Sequence, residues 1–428
     1  MITPEDSDGL NQRGFTLAEM MVATMMTTAI IAAGLGALTV TQKTTRMTNQ
    51  VVNTQATART GLDMITADLK LAGFGMQGLA GTPPLPAAAV QGTVGNCVVN
   101  NRPAALVPGD NNPGGPDLGP DSISMVVPMT NSIAAVGALW QVNVPVAPGT
   151  IGGANQPIAT IPLMNNAVNG MGAVIPGGIA ALPGMAVSIA GVAGSRIAPG
   201  GATPAGLNLT PAIPALPAFS HGTQVYLLQC ITYQVIPPPD ALNLCQGNAP
   251  CLVRGVAPGV PPANAPPNCN NPNPNPLLPH PCVPIMDGVE DLQLAYACDG
   301  CNMNINGGVP DNAIDDLNAS NSFDQGDFMA GITGVNWFLP PSAAMTTDKI
   351  RMVQVSIVAR QTRTDQGTGE GVVTLVQNTN TIPTVSDHNH ANGVFALGDN
   401  STPAQQQAYL QFRRRILTRT VELRNQRY

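Results

Sequence analysis

The most constraining feature of this chain is residues 15–40, FTLAEMMVATMMTTAIIAAGLGALTV, an apolar run with one charge, Glu19. As a helix it is about 39 Å long, longer than the ~20 residues that cross a bilayer core. A secretory signal peptide is the ordinary reading of such a run, and the small residues near Gly34 and Gly36 mimic its cleavage site. Two features oppose it. The preceding stretch is acidic (Glu5, Asp6, Asp8) with only Arg13 basic, and Glu19 sits inside the run, where a carboxylate without a partner is costly. Flanking charge does not orient the segment, since Arg13 on one side faces Lys43 and Arg46 on the other.

Beyond Thr41 the pattern turns polar but keeps helical spacing. Met47, Val51, Ala58, Leu62, Ile65 and Leu69 recur on one stripe, and Gly73 stops it. The spacing predicts one helix over 15–72, whose second half buries its stripe against a globular head.

Arg13-Gly14-Phe15-Thr16-Leu17-Ala18-Glu19, abutting the apolar helix, resembles the class III signal of type IV pilins and pseudopilins. The resemblance implies that a prepilin peptidase cuts between Gly14 and Phe15 on the cytoplasmic side and N-methylates Phe15. It also implies that Glu19 pairs with the new amine of a neighbouring subunit. Desolvation consumes much of the Coulomb gain of such a pair, so its effect is to fix stagger more than to add stability. Gly34 and Gly36 each cost about 1 kcal/mol relative to Ala within a helix. With Ala29, Ala32, Ala33 and Ala37 they permit close packing of helices, and the resemblance makes them a place to unwind on assembly.

Residues 67–74 (ADLKLAGF) are similar to the segment that ends this helix in PilW-type minor pilins, relatives of the J-type minor pseudopilins. Residues 287–296 (DGVEDLQLAY) and 350–360 (IRMVQVSIVAR) alternate as strands and resemble two strands of that family's C-terminal region. Residues 414–425 resemble its terminal strand.

The middle of the chain is different in texture. Residues 76–285 hold only Arg102, Arg196 and Arg254 against Asp110, Asp117, Asp121 and Asp240, and Pro and Gly break any long helix. Strands are expected at 121–129, 138–146 and 223–236. The low-complexity run 148–217 reads as an irregular β-rich insertion or a flexible loop, and its lack of charge suggests that it packs against something. Residues 264–281 read as an extended spacer pinned by Cys269 and Cys282. Across all 428 residues, Lys+Arg 18 against Asp+Glu 25 leave a net charge of -7, which gives no field for binding phosphates and excludes a nucleic-acid binder. An apolar content of 44% excludes a charged disordered chain.

The eight cysteines, Cys97, Cys230, Cys245, Cys251, Cys269, Cys282, Cys298 and Cys301, read as disulfides in an oxidising compartment. Pairing is not readable from spacing, but seven of them lie between 230 and 301, so a local staple is expected. Cys298 and Cys301 have CxxC spacing, but Asn302 follows, so haem attachment is absent. Zinc held by some thiols with His280 or His221 is the lesser reading.

No catalytic set is present: GxSxG, HExxH, the phosphate-binding loop and the dinucleotide glycines are all missing. Asp387-His388-Asn389-His390 reads as a solvated turn. Neither a cofactor nor a metal is expected. Asn302, Asn304, Asn306 and Asp311 are the one calcium candidate, against an ordinary Asn/Gly turn. Arg413, Arg414, Arg415, Arg419, Arg424 and Arg427 form a basic cluster that is either a solvated strand face or a docking patch for an acidic neighbour.

The expected fold is α+β: a long N-terminal helix on an antiparallel sheet head, with a large Pro/Gly-rich insertion. The expected divisions are a leader (1–14), a transmembrane half-helix (15–40), an amphipathic half (41–75), the insertion (76–285) and a C-terminal β-rich head (286–428). The resemblance implies a non-enzymatic minor pilin, set near the tip or in the initiation complex of a type IV pilus, with an adhesive head as a further expectation. Its implied partners are other minor pilins, the major pilin, the prepilin peptidase and the inner-membrane assembly platform. Its implied path runs from the inner membrane, head in the periplasm, to the cell surface. A minor pseudopilin of type II secretion and a membrane-tethered secreted enzyme are the alternatives.

Overall fold

The computed structural model describes residues 15–74, 282–300, 306–329, 349–361 and 414–424. Between 76 and 256 it describes the strands named below, several strands of two to four residues, the residues flanking them, and Met76, Leu244 and Cys245. Helix α1 spans Leu17–Leu71. Thr16 caps its start, and the chain leaves it through Ala72 and Gly73. Gly73 has φ 76°, a left-handed conformation that suits glycine, and its N–H donates to the Val126 carbonyl at 2.9 Å. The helix end is thereby pinned to the head.

Threonine is frequent in α1, but its exposed hydroxyls are satisfied within the helix at the positions described. Thr24, Thr27, Thr28 and Thr39 each donate to a carbonyl three or four residues back. A polar side chain that closes its bond within its own helix can sit in an apolar medium.

A ten-stranded antiparallel sheet forms the larger part of the head. Its strands are β1 (Leu106–Gly109), β2 (Ser122–Pro128), β3 (Ile158–Ile161), β4 (Ala186–Ile189), β5 (Ala193–Thr203), β6 (Gly206–Ile213), β7 (Gln224–Ile236), β8 (Cys251–Val256) and β9 (Cys282–Asp287), with the short strand Trp140–Gln141. The order is β9-β8-β7-β4-β5-β6-β3, and β2 also pairs with β7, carrying β1 outside it. The long strand β7 is the hub: Gln229 faces Val127 in one register and Tyr233 faces Arg254 in another. A second, three-stranded sheet contains β10 (Val289–Cys298), β11 (Ile350–Arg360) and β12 (Arg414–Glu422), all antiparallel.

Both sheets share one core with the C-terminal part of α1. Ala58, Leu62, Ile65 and Leu69 meet Leu106, Ile123, Met125, Ile231, Tyr233, Leu252 and Met286 from the larger sheet. They also meet Leu292, Leu294, Val353, Val355, Ile357 and Val421 from the smaller one. The stripe follows the expected spacing; Met47 and Val51 are half-buried. Gly61 packs against the larger sheet: a Cβ there would lie 3.3 Å from Met286 Sδ and 3.8 Å from Leu252 Cδ2.

The sheets are also joined by hydrogen bonds along the outer edge of β10. The Asp121 N–H donates to the Leu292 carbonyl at 2.8 Å, and the Leu294 N–H donates to Asp121 Oδ2 at 2.9 Å. Farther along, Tyr296 and Met329 exchange both backbone bonds at 2.8 Å. A strand edge that would otherwise template aggregation is thus covered.

The sequence expectations compare closely with these elements. The α+β class holds. The expected strand at 121–129 is β2, that at 223–236 is β7, and 350–360 is β11. Of 138–146, only the strand Trp140–Gln141 lies among the described residues. Within 148–217 the described residues are strands, so the β-rich reading applies to them.

The disulfides are not confined to the 230–301 region. Cys97 bonds to Cys230 across a separation of 133 residues, and Cys245 bonds to Cys251. The long closure arises because the Cys97 segment lies beside β2 and β7, where Met76, Val126 and Leu228 bury both sulfurs. Cys282 and Cys298 are disulfide-bonded as well. Cys269 and Cys301 lie outside the described residues, as do the four histidines and the spacer at 264–281.

Candidate assembly interface

At the start of α1 the Thr16 side chain and Glu19 form a reciprocal capping box. The Glu19 N–H donates to Thr16 Oγ1 at 3.3 Å, and the Thr16 N–H and hydroxyl both donate to Glu19 Oε2 at 3.0 Å. Glu19 is fully exposed beside Phe15, which is itself 85% exposed. Gly14 lies outside the described residues.

The apolar half of α1 has no cover among the described residues. Leu17, Met20, Met21, Met25, Met26, Ile30, Ile31, Leu35 and Leu38 are all exposed. No atom approaches within 4 Å of where a Cβ would stand on Gly34 or Gly36. Nothing among the described residues therefore calls for small residues at those positions. This helix is long and apolar enough to cross a membrane.

Two carboxylates on the buried half of α1 attach the rod to the head. Asp68 Oδ2 accepts the Tyr233 hydroxyl at 2.5 Å and Arg254 Nε at 3.0 Å, from β7 and β8. Arg254 and Asp68 are each 14% exposed. Burial and then the Asp68 charge push the Tyr233 hydroxyl well above the ordinary tyrosine range. Burial pulls the Arg254 guanidinium down, but Asp68 and Tyr233 outweigh it, leaving it raised. Asp63, by contrast, pairs with Arg419 of β12 at the surface, where Arg419 also reaches Thr66 Oγ1 at 3.3 Å. Five residues apart on a helix is about 500° of rotation, so the two acids face different sheets.

The terminal arginines do not form one patch. Adjacent residues of a strand point to opposite faces. Arg414 is buried, with Nε 2.5 Å and Nη2 3.0 Å from Glu290, and Arg360 Nη1 meets the same carboxylate at 3.1 Å. Burial, followed by the neighbouring Arg414 charge, lowers Arg360 despite Glu290. Arg415 and Arg424 are exposed, and Arg413 and Arg427 lie outside the described residues.

The segment between β10 and β11 is organised by aspartates that cap its own amides. Asp299 Oδ1 accepts the Asp311 N–H at 2.8 Å, and its Oδ2 takes Arg351 Nη2 at 3.0 Å. Asp315 Oδ1 accepts the Gly300 N–H at 2.9 Å. Gly300 needs its φ of 82°, and a Cβ there would come within 2.7 Å of the Pro310 nitrogen. Of the calcium candidate, Asn302 and Asn304 lie outside the described residues. Asn306 opens a short 3-10 turn, and Asp311 Oδ1 accepts the Ala313 N–H at 3.0 Å. No group of three or more metal-ligating His, Cys, Asp or Glu occurs among the described residues.

Comparison with known families adds one match, over residues 278–425, to PilW, the type IV pilus-assembly protein W. Over that stretch the chain is similar to that family. The matched region takes in β10, β11 and β12, where the sequence carries the resembling segments. It ties the protein to type IV pili, to interaction with other pilus components and, with the apolar helix, to a membrane. PilW is a pilus-assembly family, structural in character rather than catalytic. No curated protein and no solved structure matches the chain.

Several residues that hold the head to its helix escaped the sequence reading. Asp68 stands inside the quoted ADLKLAGF segment, but nothing local announces Tyr233 and Arg254 as its partners. Asp121 and Glu290 likewise acquire their roles from strands distant in sequence.

Proposed function

We propose that the protein is a minor pilin of a type IV pilus, cut after Gly14 and carried in the fibre with its head outward. The observation that carries this reading is the apolar half of α1, which is capped at Thr16, exposed throughout and unopposed at Gly34 and Gly36. Such a rod has no partner among the described residues. A bilayer before assembly and a bundle of like helices afterwards are media that would cover it.

In this proposal Phe15 becomes the methylated N-terminus, and the exposed Glu19 carboxylate receives the amine of a neighbouring subunit. The Thr16 contacts hold Glu19 near the rod's tip until that amine arrives. The head, fixed to α1 by Asp68 and Asp63, is carried at the rim, near the tip or in the initiation complex. Its enlarged ten-stranded sheet offers surface for adhesion. The prepilin peptidase, assembly platform, major pilin and other minor pilins are the partners of this path. N-terminal sequencing of native protein from sheared pili tests the reading. A methylated Phe15 start supports it, whereas a start at Met1 or beyond residue 40, or absence from pili, overturns it.

A further inference from the structure

We draw no further inference here: the strongest candidate, the aspartate-rich loop 316–327 beyond the end of β10, spaces oxygen donors along the chain, yet Asp316 and Asp327 commit both carboxylate oxygens to the loop's own backbone amides, and no second observation in the structure points to a ligand.

Discussion

The Tyr233 hydroxyl donates to Asp68 Oδ2 at 2.5 Å, and the same oxygen holds Arg254 Nε at 3.0 Å. One carboxylate on the helix thus satisfies two strands of the larger sheet. Removing it leaves a largely buried guanidinium without its counter-charge, which costs more than the pair itself contributes. Asp68→Ala is expected to destabilise the protein by about 3 kcal/mol in urea unfolding. Tyr233→Phe, which removes one hydrogen bond and leaves the ion pair, is expected to cost about 1 kcal/mol. Equal costs for the two variants would refute this division.

The same tyrosine gives a pH signature. Its hydroxyl ionises in the unfolded chain at the ordinary tyrosine value of about 10, while burial and Asp68 raise it in the folded protein. A raised folded value means stability that is full below pH about 10 and falls as pH climbs above it, because the unfolded state releases the proton first. Thermal midpoints measured from pH 8 to 11 should fall at the alkaline end for the parent protein. In Tyr233→Phe that fall should be shallower, and an identical slope would count against the coupling.

Cys97 and Cys230 close a loop of 133 residues that contains β1 through β6. Long loops lose the most chain entropy in the unfolded state when cross-linked. The double substitution of Cys97 and Cys230 by Ser is expected to lower stability by about 4 kcal/mol. Alkylation of the non-reduced, denatured protein followed by mass analysis should find no free thiol, since no cysteine is free among the described residues.

Asp63 and Arg419 provide the contrast. Their side chains are 62% and 49% exposed, so water and salt screen the pair. Arg419→Ala is expected to change stability by about 1 kcal/mol or less, and by still less at high salt. A loss as large as that of Asp68→Ala would show that the surface pair is a principal anchor.

Gly14→Ala and Glu19→Ala separate processing from assembly. The first should leave the leader attached, read as a higher mass of the membrane-bound protein. The second should be cut and inserted normally, yet be depleted from sheared pili. Wild-type levels of Glu19→Ala in the fibre would remove the register role.

Much of the architecture is legible in the chain because it depends on local periodicity. A long apolar run, a stripe at helical spacing and a stopping glycine define α1 to within two residues at each end. Clustered β-branched and apolar residues likewise place β7, alternating residues place β11, and the three C-terminal segments that carry the PilW resemblance lie in the region the family model matches. The oxidising compartment follows from cysteine count, and disulfides at six of the eight cysteines accord with it.

Partnership across the fold was decided by tertiary structure alone. Asp68 lies 165 residues from Tyr233, Glu290 lies 124 from Arg414, and Cys97 lies 133 from Cys230. Side-chain spacing repeats every few residues and specifies which face of an element is apolar. It says nothing about which distant strand arrives against that face. The low-charge middle of the chain shows the consequence: its strands share one core with the rod and the C-terminal sheet, because apolar faces bury wherever the chain can bring them together.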